Sequence, residues 1–70
     1  MTKKEKFEIE EKKRIMLQIK YIFQSQQHTI KTMAGLLLLN PIRVVDLVSI
    51  KTERFTLTQL RELHSRLIEK

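Results

Sequence analysis

The chain has no cysteine and no tryptophan, and only one glycine and one proline in 70 residues. Each shortage removes a class of structure. Without cysteine there is no disulfide framework and no thiolate metal site. The two histidines, His28 and His64, stand far apart in the sequence and are too few for a zinc site. One glycine and one proline cannot supply the turns of a strand-rich fold, because hairpins draw on residues that tolerate positive φ. Long apolar runs are missing as well. The run Leu36 to Leu39 falls far short of the roughly 20 residues that a membrane helix requires. The basic N-terminus is followed by no apolar stretch of about 7–15 residues, so nothing reads as a secretory leader and a cytoplasmic protein is expected. No Ser-His-Asp set, phosphate-cradling glycine loop or metal cluster is visible in the pattern, so neither an enzyme nor a cofactor is expected.

What the chain does have is charge, with 14 Lys and Arg against 8 Asp and Glu and a formal net charge of +6. That balance suits an acidic partner: nucleic acid, an anionic surface or an acidic protein. A chain this short buries only roughly 60% of its unfolded surface, so its core is small and oligomerisation would help it. Residues 1–14 interleave Lys3, Lys4, Lys6, Lys12, Lys13 and Arg14 with Glu5, Glu8, Glu10 and Glu11, and only Phe7 and Ile9 are apolar anchors. They read as a charged lead-in, a solvated or frayed helix, ahead of a single domain over 15–70. As a basic arm on phosphate the same segment would be opposed by its four glutamates.

Hydrophobic spacing then marks helices. Ile15, Ile19, Ile22 and Phe23 recur at i, i+4, i+7 and i+8, with Met16 and Leu17 broadening the stripe. The polar run Gln24 to His28 ends it. Thr29 is an N-cap candidate, and Ile30, Met33, Ala34, Leu37 and Leu38 give the next apolar face. Asn40-Pro41 is a firm boundary, since proline suits the first helical position and disfavours α geometry just before it. Val44, Leu47 and Val48 point inward from the helix that follows. Ser49 to Arg54 reads as a polar loop, and Phe55 as a hydrophobic plug. Thr56 with Gln59 matches a capping box, ahead of the stripe Leu57, Leu60, Leu63 and Leu67. The expected fold is all-α: four main helices, five if the lead-in counts separately, with a helix-turn-helix over Thr29 to Val48.

From about Ile15 to Leu67 the chain resembles the XRE (Cro/CI-type) helix-turn-helix regulators, and within them the short branch of HigA-like antitoxin repressors. The resemblance is carried without a gap by Thr29, Ala34, Leu37, Arg43, Val44, Asp46, Leu47, Lys51, Arg54, Phe55, Leu57 and Leu60. The R-V-x-D-L core and the K-x-x-R-F-[ST]-L tail are its more specific parts. It implies a lambda-repressor-like domain. Five positions depart from the pattern. Ile42 stands where the family has proline, one residue after Pro41 here, and Val45 where it has serine. Ile30 stands where the family has glutamine, and Leu38 and Ile50 stand where it has glycine. Glycine serves such positions because positive φ costs it nothing. Leucine and isoleucine there imply a reshaped turn or strain.

The resemblance implies a sequence-specific DNA-binding regulator, a repressor of phage, plasmid or toxin–antitoxin type, acting as a homodimer on double-stranded DNA. The helix from Pro41 to Val48 then reads the major groove. Arg43 is the candidate for a bidentate guanine contact; otherwise it pairs with Asp46 or Glu53. Asn40 either touches a base or a phosphate near the helix start or serves only as cap. Ile42 and Val45 either meet thymine methyls or bury against a partner chain. Thr29, Lys31, Lys51 and Arg54 flank the motif as phosphate contacts or as solvated surface groups. Ala34, Val44 and Leu47 form the motif's core. A second reading makes the motif a protein-interaction module, an antitoxin-like neutraliser or adaptor. Its motive is the apolar character of Leu36, Leu39, Ile42 and Val45, and its partner would be a toxin or a host factor.

Overall fold

The computed structural model describes residues 2–68, and all regular structure among them is helical. Helix α1 runs over Lys3–Ser25, α2 over Ile30–Leu37, α3 over Pro41–Val48 and α4 over Leu57–Ile68. A 3-10 turn at Thr52–Arg54 interrupts the segment expected as plain loop. The sequence reading of four helices therefore holds. No helix among the described residues is long and apolar enough to cross a membrane.

Helix α1 passes through Arg14 without a break, so the charged lead-in and the first core helix are one element. Local interactions explain why so polar a segment is helical. The Thr2 hydroxyl oxygen accepts from the Glu5 amide at 3.2 Å, which caps the first turn. Lys12 pairs with Glu8 at 3.9 Å and Arg14 with Glu11 at 2.8 Å, at the i+4 and i+3 spacings that face each other on a helix. The helix is about 34 Å long at 1.5 Å per residue, and only its C-terminal half meets the core.

That core is one cluster. Ile15, Met16 and Ile19 come from α1, Met33, Ala34 and Leu37 from α2, and Val44 and Leu47 from α3. Phe55 plugs it between the 3-10 turn and α4, which adds Leu60, Leu63 and Leu67. Three expected core residues lie outside the cluster, and Val48 is one of them, half-buried at the end of α3. Leu17 is 54% exposed, because it falls on the side of α1 away from Met16 and Ile19. Leu38 is 78% exposed, because α2 has already ended at Leu37.

Three helix ends share one device. Past α1, α2 and α3, a non-glycine residue takes positive φ: Gln27 at 53°, Leu38 at 57° and Ile50 at 58°. The next amide in each case reaches back five residues: His28 to the Phe23 carbonyl at 3.0 Å, Leu39 to Ala34 at 2.9 Å, Lys51 to Asp46 at 3.1 Å. This is the Schellman closure, for which glycine is the usual left-handed residue. The chain thus builds the sharp turns that the motif needs from residues that resist them. Its single glycine, Gly35, sits instead inside α2.

Candidate nucleic-acid interface

The helix-turn-helix consists of α2, the turn Leu38–Leu39–Asn40, and α3. Both helices start on side-chain caps. The Thr29 hydroxyl oxygen accepts from the Thr32 amide at 3.1 Å and its hydrogen is directed to the Thr32 hydroxyl at 2.9 Å. The Asn40 side-chain oxygen accepts from the Ile42 amide at 3.0 Å, with Pro41 at the first helical position. Each residue therefore serves as a cap, whatever else it contacts.

Helix α3 is anchored inward by Val44 and Leu47, both fully buried. The opposite side is free: Ile42 is 71% exposed and Val45 45%. Of the four apolar residues expected at a partner surface, Leu36 and Leu39 are half-buried and pack on the core. The exposed apolar group is Leu38, Ile42 and Val45. It is smaller than expected, and shifted toward the turn.

Arg43 takes neither acidic partner. Its guanidinium carbon lies 4.3 Å from the centroid of the Phe55 ring. Asp46 pairs instead with Lys51 at 3.8 Å. The sequence could not show this stacking, because Arg43 and Phe55 come together only when the 3-10 turn folds back on α3. Around them Leu39, Gln59, Glu62, Leu63 and Arg66 line a shallow depression of about 140 Å³. Arg66 was not anticipated at all. Its guanidinium donates to the Leu37 carbonyl at 2.9 Å, tying α4 to an unsatisfied end of α2.

The remaining flanking cations are spread around the motif. Lys31 is exposed on the first turn of α2 and Arg54 is exposed in the 3-10 turn. Neither has an acidic partner within 4.0 Å among the described residues. Lys51 is about half exposed and only loosely held by Asp46. The capping box expected at the start of α4 is formed: Gln59 donates its amide to the Thr56 hydroxyl at 3.1 Å, and Thr56 donates its amide to the Gln59 side chain at 3.0 Å. It places the preceding Phe55, and through it Arg43.

No family model, curated protein or solved structure matches the chain.

Proposed function

We propose that this protein is a sequence-specific DNA-binding regulator, acting as a homodimer, in which α3 enters the major groove. The observation that carries the reading is the disposition of α3. It is short, capped at its start and pinned by two buried residues, and it turns Ile42 and Val45 outward next to a tight turn. With the net charge of +6, that is the arrangement a recognition helix requires. In this reading Ile42 and Val45 meet thymine methyl groups. Lys31, Lys51 and Arg54 neutralise phosphates on either side and set the register. Asn40 keeps its amide hydrogens available to phosphate while its oxygen caps the helix.

Arg43 must leave Phe55 to reach a base. A cation–π contact at a partly exposed site is worth about 0.5–1 kcal/mol, whereas a bidentate guanine contact discriminates by about 1–3 kcal/mol. The swing is therefore favourable on DNA, and the stacked rotamer is the resting position of the free protein. The natural class is an autoregulating repressor of phage, plasmid or toxin–antitoxin type, located in the cytoplasm.

Selection of duplexes from a random library by the full chain, followed by fluorescence anisotropy at two salt concentrations, tests this. The expected outcome is an enriched motif, bound more tightly than its scrambled version and weakened steeply by salt. Equal affinity for enriched and scrambled duplexes would overturn it. One observation favours a second reading: Leu38, Ile42 and Val45 make an exposed face that carries no charge. If the face is a docking site for a toxin or host protein, Ile42→Ser with Val45→Ser abolishes capture of that protein, and no DNA motif is enriched.

A further inference from the structure

Helix α1 carries an apolar face that neither the core nor α3 uses. Phe7 is 63% exposed, Leu17 54% and Tyr21 71%. At 100° per residue these three share one side of the helix with Arg14 and Gln18, opposite to the side on which Met16 and Ile19 enter the core. Arg14, Leu17, Gln18 and Tyr21 stand at i, i+3, i+4 and i+7, the four corners of a hole on a helix surface. With Ile22 they line a depression of about 430 Å³ whose walls are almost wholly apolar. Seven residues before Arg14, the first corner of the hole, stands a lone exposed aromatic knob, Phe7, on a helical arm with little of its own to pack against. Isolated helices of about 12–15 residues are marginal in water, so that arm gains from being covered.

We propose that the occupant of this face is a second copy of the chain, with the two α1 helices antiparallel and Phe7 of each copy seated in the hole of the other. Charge selects the orientation. A parallel pair would set Arg14 against Arg14 and the glutamates against one another. In the antiparallel pair, Phe7 opposite Leu17 and Gln18 brings Arg14 opposite Glu10 and Glu11 of the second copy, twice by symmetry. The same register sets Tyr21 opposite Lys3 and Lys4 of the second copy, where an ammonium can lie on the ring. The hole, the knob and the alternating charges of the arm are then one self-complementary surface. A single helix face is smaller than the standard interface of about 800 Å² per partner, so a dissociation constant in the micromolar range is expected. The dimer deepens the homodimer part of the reading above, but it rests on α1 alone.

Sedimentation equilibrium of the full chain without DNA tests it, so the result is independent of what α3 binds. The expected result is a reversible dimer of the 8.4 kDa chain. It is weakened at least tenfold by Phe7→Ala or by Arg14→Glu. It is restored when Arg14→Glu is combined with Glu10→Arg and Glu11→Arg, and left unchanged by Ile42→Ser. Because the chain has no cysteine, chains carrying Phe7→Cys and Gln18→Cys can also be mixed and oxidised. The proposal expects a disulfide-linked mixed dimer as the main product. A chain that stays monomeric at 100-fold above micromolar concentration, a dimer indifferent to Phe7, or one broken by Ile42→Ser would overturn it. Far-UV circular dichroism checks that each variant keeps its helices. Arg14→Glu and its charge-reversed rescue, which leave Phe7 in place, decide the matter should Phe7→Ala not fold.

Discussion

Consider the double substitution Gly35→Ala with Leu38→Gly, which moves the chain's single glycine from the middle of a helix to the turn that follows. A glycine inside a helix costs about 0.5–1 kcal/mol relative to alanine. A Cβ built at Gly35 meets nothing within 4 Å, so no steric term opposes the gain. Leu38 holds φ 57° and ψ 42°, a left-handed conformation that costs a side-chain-bearing residue roughly 1–2 kcal/mol. Glycine relieves that strain but gives back about 0.4–1 kcal/mol through the greater freedom of the unfolded chain. Leu38 is 78% exposed, so little burial is lost. The net gain at Leu38 is about 0.5–1 kcal/mol, and the pair should add to roughly 1–2 kcal/mol. For a domain of this size that raises Tm by roughly 5–15 °C, at about 4–8 °C per kcal/mol. Thermal and urea unfolding followed by circular dichroism measure it, with an unchanged urea slope showing that both states keep their compactness. Ile50→Gly is the control. It relieves the same strain, but Ile50 packs on the core, so the lost burial offsets the gain and stability should stay level or fall. A Tm lowered by Gly35→Ala, or by Leu38→Gly, would refute the reasoning at that position.

Other substitutions probe the same framework. Arg66→Ala removes a charge-assisted hydrogen bond to the Leu37 carbonyl and should cost about 1.5–3 kcal/mol, read from the urea midpoint; Arg66→Lys should recover only part of it, and a loss below about 0.5 kcal/mol would show that the contact contributes nothing. Thr56→Ala breaks half of the capping box and should cost about 1 kcal/mol, with less loss when Gln59→Ala is already present; full additivity of the two would contradict the paired hydrogen bonds. Met33→Ala should cost about 2–5 kcal/mol, comparable with the whole stability of a domain this small, so the variant should be largely unfolded at 37 °C by circular dichroism; a cooperative transition near the parent's Tm would contradict its complete burial. On DNA, Arg43→Ala should weaken the selected duplex by about 1–3 kcal/mol and relax its sequence preference, whereas Lys31→Ala should weaken all duplexes alike and reduce the salt slope by about one; reversed behaviour of the two would mean that they have been given each other's roles.

The parts of the fold legible in the sequence are those specified by neighbours. Thr29, Asn40-Pro41 and the Thr56/Gln59 box each act within four residues, and all three caps are formed. At Leu38 and Ile50, where the resembled pattern has glycine, the sequence left a reshaped turn or strain open, and the chain takes the strained left-handed conformation at both. The parts that were not legible depend on residues far apart in the chain. Arg43 offered two acidic partners by proximity and took an aromatic ring instead, because the 3-10 turn carries Phe55 across it. Arg66 reaches Leu37 across 29 positions. The continuity of α1 was obscured for a different reason. Its first half has no apolar stripe, so periodicity is silent there, while its cap and its ion pairs sustain the helix without one. Leu17 misled in the opposite direction. As an apolar residue beside Met16 it resembled core, yet 100° of rotation carries it to the outer face.

If α3 and its capping residues are the surface that meets DNA, a two-dimensional ¹⁵N NMR titration of the full chain with the selected duplex will map onto them. Amide shifts are expected to concentrate at Asn40 and at Ile42 to Val45, with lesser shifts at Thr29 to Lys31 and Lys51 to Arg54, and with the Arg43 side chain leaving the ring-current field of Phe55. Shifts that avoid α3, or that fall mainly along Lys3 to Arg14, would contradict that proposal.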